Sequence, residues 1–174
     1  MRRVICAILA AAIVAGCASP TTEPAAAPEP TQTTAPPSAA ELVGELGPEL
    51  VQRRVDGAEG VLDYIHPEGI EAGLEEASQG HLASGVYAVF VYEDAASARD
   101  AYDAWKTGMI GSGIARSLWR VVSETQPEDG AYTVVLSGQG VRSVTLKGPY
   151  VLSVSGASAA TRQSIEEDFL QRVP

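Results

Sequence analysis

The stretch Val86-Tyr87-Ala88-Val89-Phe90-Val91-Tyr92, followed by Glu93-Asp94 and then Ala95 to Trp105, decides the fold. Its first part is apolar almost throughout. That is the pattern of a strand covered on both faces, because neighbouring side chains point to opposite sides of a sheet. Asp94 is suited to cap a helix, since its carboxylate accepts from free amides of the first turn. Ala95, Ala98, Tyr102 and Trp105 then recur at helical spacing, with Arg99, Asp100 and Asp103 outside the stripe. The sequence predicts a buried strand running directly into an amphipathic helix.

Downstream, short segments alternate with turn signals. Trp119 to Glu124 is a strand candidate, and Gln126-Pro127-Glu128-Asp129-Gly130 is a turn. Tyr132, Val134 and Leu136 alternate with Thr133, Val135 and Ser137. After Ser137-Gly138-Gln139-Gly140, Arg142, Val144 and Leu146 alternate with Val141, Ser143 and Thr145. Beyond Lys147-Gly148-Pro149, Tyr150, Leu152 and Val154 alternate with Val151, Ser153 and Ser155. Period-two alternation at these intervals predicts a meander of hairpins. A last helix is expected from about Ala157 to Gln171, with Ile165, Phe169 and Val173 on one side.

Upstream, Leu42, Val43, Leu46 and Leu50 form a helical stripe interrupted by Gly47-Pro48. Val61, Leu62 and Ile65 predict a short apolar turn. Ile70, Leu74 and Ala77 predict a surface helix from Pro67 onward, closed by Gly80, with Glu71, Glu75 and Glu76 facing elsewhere. These elements predict an α+β fold. It is a single domain over residues 41–174, with an antiparallel β-sheet and helices packed on one face.

The first forty residues are different material. Met1-Arg2-Arg3 is a short positive start, and Val4 to Val14 is an apolar run. That run is too short for a spanning helix, which needs about 20 residues, and it suits the core of a signal peptide. It ends in Val14-Ala15-Gly16-Cys17. With this motif the chain resembles bacterial lipoprotein precursors, whose lipobox is a branched aliphatic residue, two small residues and cysteine. The resemblance implies transfer of a diacylglyceryl group to the Cys17 sulfur and cleavage between Gly16 and Cys17. It also implies anchoring through acyl chains on the outer face of the cell membrane. Residues 1–16 are then a signal peptide, and 17–40 a lipidated cysteine and tether.

The tether alternates Pro20, Pro24, Pro28, Pro30, Pro36 and Pro37 with Thr, Ala and Glu. It has too few large apolar side chains to offset the entropy of ordering, so it is expected to be a disordered, extended spacer. Alanine-rich, lysine-poor composition with such a stalk is similar to lipoproteins of high-GC Gram-positive bacteria.

The formal charge of the 174-residue chain is −10, and loss of Arg2 and Arg3 with the signal peptide takes it to −12. Such a surface repels nucleic acid, so no nucleic-acid partner is expected. Cys6 and Cys17 are the two cysteines. Removal of the first leaves no intramolecular disulfide, and the domain must be held by its core.

No familiar reaction centre is legible. Gly111-Ser112-Gly113 lacks the spacing of a serine-hydrolase elbow and the third glycine of a dinucleotide loop, and Gly138-Gln139-Gly140 opens into a strand. His66 and His81, with Glu68 and Glu71 nearby, have no spacing that brings them together on a metal. Glu75-Glu76 and Glu166-Glu167-Asp168 read as solvated helix faces rather than an acid–base pair. Trp105, Trp119, Tyr87, Tyr92, Tyr132 and Tyr150 read as core more than as pocket. No catalytic residue, cofactor or metal is therefore assigned.

The expected function is a lipid-anchored envelope module that binds a protein or small ligand without catalysis. The alternatives are an envelope hydrolase with an unrecognised site and a carrier of an apolar molecule in an enclosed cavity.

Overall fold

The computed structural model describes residues 35–46, 54–62, 69–107, 120–138 and 140–174. These lie in the compact unit Thr34–Pro174. The signal peptide, Cys17, the tether to residue 34, Leu50, Ile65, His66 to Glu68, the 108–113 loop and Trp119 lie outside the described residues.

Among the described residues the elements are α1 (Ala39–Glu45), β1 (Arg54–Asp56), α2 (Ala58–Leu62), β2 (Leu74–Leu82), β3 (Gly85–Tyr92), α3 (Ala95–Lys106), β4 (Arg120–Thr125), β5 (Ala131–Ser137), β6 (Val141–Lys147), β7 (Tyr150–Ser155) and α4 (Ala159–Arg172). The strands form one sheet in the order β1-β2-β3-β7-β6-β5-β4. Every neighbouring pair is antiparallel. The chain leaves β3 through α3, reaches the far edge at β4, and walks back by hairpins until β7 pairs with β3. The α+β class and the antiparallel sheet are as expected from the sequence.

Helices cover both faces of the sheet, not one. Ala88, Phe90, Tyr92, Val144, Leu146 and Val151 pack with Ala98, Ala101, Tyr102 and Trp105 of α3. The opposite parity, Tyr87, Val89, Tyr150, Leu152 and Val154, packs with Leu42 and Val43 of α1 and Ile165 and Phe169 of α4. The reason is in β3 and β7, which are apolar at consecutive positions and so present a hydrophobic surface on each side.

Residues 74–82 are also a strand and not the surface helix predicted over 67–80. β2 pairs with β3 from Leu74↔Tyr92 to Leu82↔Gly85, with a register shift between Leu74 and Glu76. The i, i+4, i+7 apolar spacing is overridden by pairing with the most hydrophobic strand of the chain. The three-residue strand β1 has no sequence signal of its own and exists by pairing with β2.

α1 starts at Ala39, slightly before the expected domain boundary. Ser38 and Glu41 form a reciprocal capping box. Glu76 of β2 adds a second acceptor, taking the Ala39 amide at 2.9 Å. Asp94 caps α3 as anticipated, its carboxylate accepting from the Ser97 amide at 2.7 Å, and Ser158 does the same for α4.

Among the described residues the sheet edges are β1, which is short, and β4, which is exposed along its length and shifts register between Val121 and Ser123. A short strand and a bulge both discourage edge-to-edge pairing.

Candidate functional site

Strand parity places polar side chains in one row on the α3 face. Val86 of β3 pairs with His81 of β2 and Ser155 of β7, and Ser155 pairs in turn with Arg142 of β6. His81, Val86, Ser155 and Arg142 share the parity of the α3 core. They form a line across four strands at one end of the sheet. The next row inward carries Gln79 and Ser153, on either side of Ala88. α3 runs back antiparallel to β3, so its C-terminal Trp105 arrives over this end.

The row grades from water to interior. His81, Val86 and Ser155 are partly exposed, while Gln79, Ser153 and Arg142 are buried. The Gln79 amide nitrogen lies 3.0 Å from His81 Nε2. Arg142 Cζ sits 4.5 Å from the centroid of the Trp105 ring, a cation over an aromatic face. Desolvation lowers the Arg142 pKa to about 10, which leaves the guanidinium charged at neutral pH. Trp105 is 3% exposed, and its Nε1–H has no hydrogen-bond acceptor among the described residues. A buried donor in this state costs about 1–3 kcal/mol.

A second aromatic–cation cluster lies nearer the β4 edge. Arg99 stands 4.5 Å from the Tyr132 ring centroid and 5.4 Å from that of Tyr102. The Tyr102 hydroxyl and Lys106 Nζ both donate to Glu124, at 3.1 and 2.8 Å. The Lys106 ammonium and the Tyr102 hydroxyl favour the charged Glu124 carboxylate and hold its pKa below the usual range. Every charge is matched there, so this cluster reads as a clamp of α3 onto β4 and β5.

The other sequence candidates separate. Glu76 caps α1, and Glu75 is exposed beside it. Glu167 is exposed and accepts from Gln163 at 2.9 Å. Glu166 is half-buried between α4 and β6, where desolvation raises its pKa against the opposing effects of Ser143 and Arg162. Tyr87, Tyr92, Tyr150 and Trp105 are core residues, as expected, and Tyr132 is partly buried. Gly138 and Gly140 belong to the β5–β6 turn. Among the described residues no three His, Cys, Asp or Glu side chains gather in a metal-binding group.

A groove of about 700 Å³ opens between residues 35–37, α1 and the end of α4, lined in part by Pro36, Leu42 and Val173. It is open to solvent and lies at the chain ends rather than between sheet and helix, unlike the enclosed cavity expected of an apolar carrier.

The Glu166 environment gives a pH prediction. A carboxyl whose folded pKa is raised destabilises the native state when charged, and stability is regained as pH falls through that pKa. Glu166→Gln is expected to raise Tm at pH 8 and to have a smaller effect below pH 4. Thermal melts across this range test it, and an equal shift at all pH values would contradict it.

No family model matches the chain, and no curated protein matches it. Among solved structures it is similar to the extracellular domain of PknH from Mycobacterium tuberculosis. The identity is 12%, the alignment covers 69% of this chain and 81% of that one, and the TM-score is 0.44.

The sequence reading missed the polar row. Its signal was present in Arg142, which shares strand parity with Val144 and Leu146 and is therefore a cation on a core face. His81 was weighed only with His66 as a metal ligand, and its neighbours across the sheet were not legible without the register.

Proposed function

We propose that the chain is a lipoprotein of the bacterial cell envelope, cut between Gly16 and Cys17 and held by diacylglyceryl on the Cys17 sulfur. The folded part would stand outside the membrane as a ligand-binding module. The observation that carries the reading is the order Arg2-Arg3, an apolar run to Val14, and Val14-Ala15-Gly16-Cys17. Cysteine supplies the sulfur nucleophile, and the small Ala15 and Gly16 suit a narrow protease site. Two acyl chains meet the requirement for stable anchoring, at about 0.8 kcal/mol per buried CH₂. Among the described residues no helix is long and apolar enough to cross a membrane.

Cells expressing the chain and fed an alkyne-bearing fatty acid are expected to label it. Cys17→Ser should lose the label and either accumulate as uncut precursor or leave the membrane fraction. Cys17→Ser protein that has lost its signal peptide and still partitions into detergent would overturn the reading.

A further inference from the structure

We draw no further inference here: the strongest candidate, the solvent-open groove between residues 35–37, α1 and the end of α4, carries nothing, because nothing in the structure shows what covers it.

Discussion

Gly85→Ala is expected to destabilise the domain by about 3 kcal/mol, at the upper end of what overpacking a filled site costs. Gly85 opens β3 and lies against the turn that ends β7. A methyl group built on it would collide with the Ser155 carbonyl and approach the Ala157 amide nitrogen to 2.7 Å. Both are backbone atoms, so no side chain can rotate away. The turn is itself constrained, because Gly156 has φ +75° and a methyl group built on it would lie 3.1 Å from Gly85 Cα. Relief requires separating β3 from β7, the two central strands that carry core on both faces.

Thermal unfolding should show a fall in Tm of about 10 °C for a domain of this size. The comparison variant is Gly130→Ala. Gly130 also has positive φ, +76°, but no atom lies within 4 Å of the added methyl. Only backbone strain is then introduced, costing about 1 kcal/mol. Equal losses in the two variants would show that close approach at Gly85 is not what matters.

The same two strands explain what the sequence made legible. Val86 to Tyr92 announced double burial through consecutive apolar residues, and the structure delivers it. The inference that helices sit on one face did not follow from that signal; a doubly buried strand requires cover on both sides. The meander was readable because each hairpin had its own alternation and turn residues.

β2 was not readable, because Leu74, Ala77 and the intervening glutamates satisfy a helical wheel as well as a strand edge. What separates the alternatives is the partner strand, a long-range fact that local spacing does not contain. Gly73 was the available hint, since glycine weakens a helix interior by about 1 kcal/mol. The polar row failed to appear for the same reason. Arg142, Ser155 and His81 are far apart in the chain and become neighbours through register alone.

Register also places the bond on which the second large effect depends. The Tyr87 hydroxyl lies 2.7 Å from the carbonyl oxygen of Val43 and 2.9 Å from that of Leu46, and shares its proton between them. These belong to the last turn and C-cap of α1, where helical carbonyls have no intrahelical donor. Val43, Leu46 and Tyr87 are all buried, so water cannot substitute. Tyr87→Phe keeps the ring and its packing but removes the hydroxyl donor from both carbonyls, which have no other side-chain donor among the described residues. The expected loss is about 2 kcal/mol, since each buried polar group left without a partner carries its desolvation cost.

Tyr92→Phe provides the internal measure. Its buried hydroxyl donates to one carbonyl, that of Ile70, at 3.0 Å, and the expected loss is about 1 kcal/mol. Denaturant titration should move the midpoint of both variants without changing the slope. Hydrogen exchange distinguishes the sites. Tyr87→Phe should speed exchange of the Leu42 and Leu46 amides, which bond within α1 to Ser38 and Leu42, whereas Tyr92→Phe should leave them unchanged. Similar exchange in the two variants would mean that α1 is held by its apolar face alone, through Leu42 and Val43, and that the tyrosine bond adds nothing to its docking.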